Sequence, residues 1–294
     1  MSPDQPFDPR QYWEARLREH YSLAGVGYLR LGRRYNEWMY RIRGEVFDRT
    51  IQGIGNRELG VGTAGGSYSP FPTPYSFEWW NDHAVLDVGS GTGFYVDRWL
   101  ATGARVTGLD LTDVAVEALA RSFPGARFVR ADIGSAAGIP LESGAFDAAS
   151  AMDVLFHIVD DDAYARAFVN LAAALKPGGW LLWSDNFLRH ATERVTHQAS
   201  RPLAESVRCV EAAGFEIVDR VPMFVLMNYP ADTTSRLARW AWTAMVAPAA
   251  LAEPIGGLVG AMLYPLERAL VRRMRESPST ELMVCRKRRP QGVG

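Results

Sequence analysis

From Ala84 to the end of the chain, short apolar runs of strand character alternate with longer stretches of helical periodicity. That alternation constrains the fold more than any other feature, because it builds a largely parallel sheet covered by helices on both faces. The expected strands are Ala84 to Val88, Arg105 to Leu109, Arg127 to Arg130, Ala148 to Met152, Trp180 to Trp183, Phe215 to Val221 and Thr280 to Arg286. Between them the clearest helix runs from about Asp162 to Leu175, with Tyr164, Phe168, Leu171 and Leu175 on one stripe and Lys176-Pro177-Gly178-Gly179 ending it. A second helix is expected from about Pro202 to Ala213, stopping at Gly214.

The flanking segments divide the 294 residues into five parts. Residues 1–60 read as an N-terminal helical extension in which Tyr35, Trp38, Met39, Ile42 and Val46 share one apolar face, while Arg41, Arg43 and Glu45 fall on an exposed one. Residues 61–80 are rich in Gly, Pro, Ser and aromatics and read as a lid loop. Residues 81–221 form the core, 222–279 an apolar helical cap inserted between the last two strands, and 280–294 the last strand with a basic tail.

Charge and composition narrow the functions available. With 32 Lys+Arg against 33 Asp+Glu the net charge is −1, so no nucleic-acid partner is expected. Two cysteines, Cys209 and Cys285, make no disulfide framework, and the first residues lack the basic-then-apolar order of a signal peptide; a cytoplasmic location is the expectation. From Trp240 to Pro265 there is one charge, Glu253, in a stretch long enough to cross about 30 Å of hydrocarbon. Pro248, Pro254 and Gly256-Gly257 interrupt it, which predicts two short apolar helices over a pocket or against a membrane surface.

The chemistry concentrates in Val85-Leu86-Asp87-Val88-Gly89-Ser90-Gly91-Thr92-Gly93, a strand ending in a Gly-x-Gly-x-Gly turn that opens a helix. Glycines at these positions let the backbone approach a nucleotide-type ligand closely. Asp110 ends the next strand, where a carboxylate can accept both hydroxyls of a ribose. The dinucleotide pattern Gly-x-Gly-x-x-Gly is not met, because its third glycine falls on Phe94 or Val96.

This compact turn after Asp87, with Asp110, the run Phe128 to Ile133, the run Phe146 to His157 and Leu175-Lys176-Pro177-Gly178-Gly179, resembles the class I S-adenosylmethionine-dependent methyltransferases over roughly Ala84 to Phe187. The resemblance implies an α/β, Rossmann-like three-layer sandwich with a seven-stranded, mostly parallel sheet. S-adenosylmethionine is the implied cofactor and S-adenosylhomocysteine its product. Gly89, Ser90 and Gly91 would lie beneath its methionine part, Thr92 would also belong to the cofactor site, Asp87 would meet the amino group directly or through water, and Asp110 would hold the ribose. Leu111 and Ile133 would flank the adenine, Asp132 would accept the adenine amino group, and Met152 would complete the cofactor site.

Methyl transfer from a sulfonium is an in-line displacement, so a hydroxyl acceptor needs alignment and removal of a proton. His157, beyond the fourth strand, is the first choice of base, with His190 and His197 as alternatives. No metal is assigned. Asp153, Asp185 and Asn186 nevertheless resemble the magnesium donors of catechol-type O-methyltransferases, with a spacing from Asp147 to Asp153 one residue longer, and stay open as a cation site.

The expected acceptor is a small lipophilic or lipid- or sugar-linked molecule. Tyr68, Phe71, Tyr75, Phe77, Trp79 and Trp80 of the loop and Met223, Phe224, Met227, Tyr229, Trp240 and Trp242 of the cap would enclose it. Arg268, Arg272, Arg273 and Arg275 could instead meet anionic head groups, giving peripheral membrane contact through the cap. O-methylation is preferred; a non-methylating enzyme and a silent cofactor-binding scaffold on the same fold are the alternatives.

Overall fold

The computed structural model describes residues 7–60 and 78–290. Two helices come first, α1 (Pro9–Glu19) and α2 (Gly32–Glu58). The helical signal from Arg10 to Gly53 thus belongs to two helices, the second starting at Gly32, whose φ of 74° only glycine adopts at low cost. There follow β1 (Ala84–Val88), α3 (Phe94–Ala101), β2 (Arg105–Asp110), α4 (Asp113–Ser122), β3 (Arg127–Arg130), β4 (Phe146–Ala151), α5 (Asp161–Ala174) and β5 (Leu175–Asp185). A small hairpin, β6 (Glu193–Val195) and β7 (Gln198–Ser200), precedes α6 (Leu203–Ala212) and β8 (Phe215–Pro222). The insertion carries α7 (Arg236–Val246) and α8 (Glu253–Arg273), and β9 (Glu281–Lys287) closes the sheet.

Seven strands form one sheet in the order β3-β2-β1-β4-β5-β9-β8, parallel except at β9, which runs antiparallel to both its neighbours. Period-two alternation sorts side chains to its two faces. Val85, Trp180, Leu182, Leu282 and Val284 pack with α2 and α3, whereas Leu86, Leu181, Trp183, Met283 and Cys285 pack with α5 and α6. Side-chain caps fix the helix starts: Asp8 accepts from the Gln11 amide, Thr112 from Ala115 and Asp160 from Ala163. Both cysteines are free.

Three expectations fail here. Arg43 is not on an exposed face; it is 6% exposed and its guanidinium lies over the rings of Tyr40 and Phe224. The insertion does not break at Gly256-Gly257, because α8 continues through them for 21 residues. Those glycines are contact residues: a Cβ at Gly256 would stand 3.2 Å from the Leu31 carbonyl, and one at Gly260 would stand 2.4 Å from the Trp38 ring. Small residues are the condition for α8 to lie close against α2. Finally, Met223, Phe224 and Met227 do not line a cavity, being fully buried in the core beneath α2. Trp80 is buried there too, Trp240 is exposed, and Tyr68, Phe71, Tyr75 and Phe77 lie outside the described residues, as does most of the lid loop.

Candidate functional site

Chain order reverses between β1 and β4, and a crevice opens at such a switch point beyond the carboxyl ends of the strands. A cavity of about 540 Å³ occupies this place. Gly89, Ser90, Gly91 and Thr92 after β1, Asp110 and Leu111 after β2, Asp132 and Ile133 after β3, and Met152 and Asp153 after β4 all line it. The N-terminal extension closes it with Trp13 and Leu17 of α1 and Tyr40 of α2.

The turn after β1 is built on left-handed glycines, with φ of 67° at Gly89, 51° at Gly91 and 84° at Gly93. A Cβ at Gly89 would stand 2.3 Å from Val154 Cγ2, so only glycine lets β4's following residues approach. The Gly91 amide donates to Asp110 Oδ2 at 2.9 Å, and the Thr112 amide and hydroxyl donate to Asp110 Oδ1 at 2.9 and 2.8 Å. Burial lifts the Asp110 pKa, and these donors offset part of the rise. Asp132 accepts from the Gly134 amide at 2.8 Å, which fixes the bend after β3.

Asp87 is placed differently from its neighbours. It is 2% exposed and is absent from the cavity wall. Trp99 Nε1 donates to Ser150 Oγ at 2.9 Å, and Ser150 Oγ donates to Asp87 Oδ1 at 2.6 Å. Burial pushes its pKa up to about 7, so this carboxyl sits behind the glycine turn as a buried polar support.

The site also holds a charge that helical spacing misplaced. Arg43 Nε donates to Asp153 Oδ2 at 2.7 Å, and Ser184 Oγ donates to Asp153 Oδ1 at 2.9 Å. Asp153 has a φ of 59°, uncommon for a residue with a side chain, and this double anchorage holds it there. The arginine pKa is pushed up by Asp153 against the opposing effect of burial. Arg43 Nη1 and the Tyr95 hydroxyl are buried without hydrogen-bond partners among the described residues.

Asp153 is therefore committed to an arginine and a serine. Asp185 is 1% exposed with its pKa pushed up to about 8 by burial, and the Asn186 carboxamide bonds Ser200 and Thr280. Among the described residues no three His, Cys, Asp or Glu side chains converge as metal ligands. This donor set does not suit a divalent cation.

His157 lines the cavity, its ring edge-on to Trp13 at 4.8 Å between centroids. Its Nδ1 lies 2.9 Å from the His197 carbonyl. A carbonyl only accepts, so Nδ1 carries the hydrogen and Nε2 keeps a lone pair. Burial lowers the His157 pKa to about 4, so the ring is neutral at pH 7. His197 itself stacks on Tyr12 of α1, and His190 faces the Ala191 and Ala231 carbonyls, away from this cavity.

A second cavity, of about 270 Å³, lies beyond Tyr28. Aromatic rings of Tyr28, Tyr229 and Trp242 face the amides of Asn186, Gln198 and Asn228 and the carboxylate of Glu193. The cap contributes to this smaller space and not to the larger one.

Residues 85–179 match the family model described as "Methyltransferase domain". The chain is 33% identical over 122 residues to the ubiquinone biosynthesis O-methyltransferase of Albidiferax ferrireducens, a stretch covering 38% of this chain and 46% of that protein. It is 36% identical over 105 residues to the protein of the same name from Chromobacterium violaceum, covering 34% and 43%. The chain thus spans less than half the length of these relatives. Among solved structures, the 1,6-didemethyltoxoflavin-N1-methyltransferase of Burkholderia thailandensis is similar at 19% identity, over 97% of this chain and 93% of that one, with a TM-score of 0.48. Residues 85–179, which carry the glycine turn at the switch point, are thus similar to a methyltransferase domain.

Proposed function

We propose that the protein is an S-adenosylmethionine-dependent methyltransferase acting on a small lipophilic or lipid- or sugar-linked acceptor, with oxygen as the methylated atom. The observation that carries this reading is one cavity at the switch point that gathers the glycine turn, Asp110, Asp132 and Met152 from four successive strand ends. The printed activity of the two relatives, O-methylation, supports the choice of oxygen.

The residues present fit the cofactor. Left-handed glycines leave room above the turn, and the Asp110 carboxylate lines the cavity beside it. When bound, S-adenosylmethionine supplies a methyl group activated on a sulfonium, and S-adenosylhomocysteine is left. Ser90, Gly91 and Thr92 would hold its methionine part, Asp110 the ribose hydroxyls, and Leu111, Asp132 and Ile133 the adenine. Asp87 would act through Ser150 and the turn it supports, as a positioning residue.

The acceptor would lie in the apolar part of the cavity, walled by Trp13, Leu17, Tyr40 and Phe94. Displacement at carbon needs the acceptor oxygen aligned and its proton removed. His157 Nε2 would take that proton, its ring held in the required tautomer by the His197 carbonyl. With a pKa of about 4 it is present entirely as free base at pH 7, though a weak one, so an acidic phenol-type hydroxyl suits it better than an alcohol.

Incubation with methyl-labelled S-adenosylmethionine and a panel of lipophilic phenols tests this reading. Label in the acceptor with one equivalent of S-adenosylhomocysteine is expected. An acceptor altered without gain of a methyl group, or tight cofactor binding with no transfer to any acceptor class, would overturn it.

A further inference from the structure

We propose that the outer face of α8 is a docking surface that seats the protein on an anionic lipid bilayer. The inner face of this helix is already used. Gly256, Gly260, Glu267 and Val271 are buried against the body of the protein, and the Glu267 carboxylate accepts the amides of Val225, Leu226 and Met227. The helix is therefore fixed in rotation, and among the described residues those on its far side have no neighbour to cover them.

Those residues are apolar. Ile255, Leu258, Met262 and Leu266 recur at three- and four-residue spacing along one stripe, and Leu258 and Met262 are 60% and 69% exposed. Leu251 precedes them in the connecting turn, and Leu237 and Trp240 are exposed on α7. Of the thirteen large apolar side chains exposed among the described residues, seven fall between Leu237 and Leu266. Scattered exposed leucines need no explanation, whereas this concentration on one insertion does.

The charges beside the stripe select its occupant. Arg34 lies against Gly257, and Arg41 stacks at 4.1 Å on the Trp38 ring that covers Gly260. Arg268, Arg272 and Arg273 follow at the far end of α8, with Glu45 the acidic partner of the first two. The two carboxylates within α8 are spent elsewhere: Glu253 accepts the Arg33 and Arg34 amides, and Glu267 is buried. An apolar stripe edged by arginines in excess over the acids beside them, Glu37 being paired with Arg33 and Glu45 with Arg268 and Arg272, complements anionic head groups above an acyl layer. A second copy packed by two-fold symmetry would instead bring like-charged arginine edges together. No described helix is long and apolar enough to span a bilayer, so α8 would lie in the plane of the interface.

Docking here would hold α2, which contributes Tyr40 to the large cavity, beside the lipid phase. That a lipophilic acceptor is drawn from this phase rests on the methyltransferase reading; the docking itself does not.

Cosedimentation of the full chain with phosphatidylcholine vesicles, with and without phosphatidylglycerol, tests the proposal. Binding at least about tenfold tighter with the anionic lipid, and weakened by salt, is expected. The paired substitution Leu258→Glu and Met262→Glu should cut that binding at least about tenfold while leaving S-adenosylmethionine binding intact, since both side chains already face solvent. Trp240→Ser supplies an independent variant with the same expected direction. Equal vesicle binding by these variants, no binding by the parent protein, or a solution dimer that the same substitutions dissociate would each overturn the proposal. Vesicle binding by a protein that fails to bind S-adenosylmethionine would sustain it and sink the methyltransferase reading instead.

Discussion

Replacing Arg43 by methionine should cost the protein about 3 to 5 kcal/mol of stability, although it exchanges a charged group for an apolar one of similar reach in a buried place. The magnitude follows from what is left behind. The Arg43 and Asp153 side chains are 7% and 17% exposed and meet at 2.7 Å, so removing the cation strands a carboxylate whose other support is the Ser184 hydroxyl. Asp153→Asn in the parent strands the cation instead, whose Nη1 has no hydrogen-bond partner among the described residues. In the double variant neither charge remains, and most of the loss should be recovered. Urea unfolding of the four proteins at neutral pH gives the coupling energy, which should be at least about 1.5 kcal/mol. Single substitutions each costing under about 1 kcal/mol, or costs that simply add, would refute the buried-pair argument.

Asp110→Ala removes the acceptor for the Gly91 amide and both Thr112 donors. It should weaken S-adenosylmethionine binding by about 1 to 3 kcal/mol in calorimetry, and unchanged affinity would remove Asp110 from the site. His157→Ala should lower turnover about a hundredfold with cofactor affinity intact. Because burial holds the His157 pKa at about 4, the acid limb of the parent's pH–rate profile should fall near 4 and not near 6.5; a limb near 6.5 would show another group titrating. Asp185 behaves in the opposite sense. Its folded pKa is raised to about 8, so the unfolded chain ionises first and stability drains away as pH rises from about 4 to 8. Asp185→Asn removes that slope and should be more stable than the parent by at least about 1 kcal/mol at pH 8, with the gain absent near pH 4; thermal unfolding across this range decides it.

Much of the architecture was legible because period-two runs and capped helices are local signals. Val85 and Leu86 sit on opposite faces of the sheet as alternation requires, and the helix expected from Asp162 to Leu175 is α5, displaced by one residue. The glycine turn was legible for the same reason, since positive φ is a property of the residue and its neighbours. Arg43 was not, because its partner is 110 positions away, and α2 is covered on more sides than a single amphipathic stripe implies. A buried arginine beside a cavity has no local signature. Gly256 and Gly257 read as breakers on propensity, whereas close packing of α8 on α2 overrides propensity. Asp87 matches the motif in residue type and position, and its hydrogen bond from Ser150, 63 positions away, has no local signal in the sequence.

Calorimetric titration of the purified protein with S-adenosylmethionine and S-adenosylhomocysteine, with NAD as control, tests the central claim most directly. Micromolar binding of both sulfur compounds and no heat from NAD is the predicted result. Failure of both to bind, or binding of NAD in their place, would contradict the reading of the glycine turn, Asp110 and Asp132 on which the account depends.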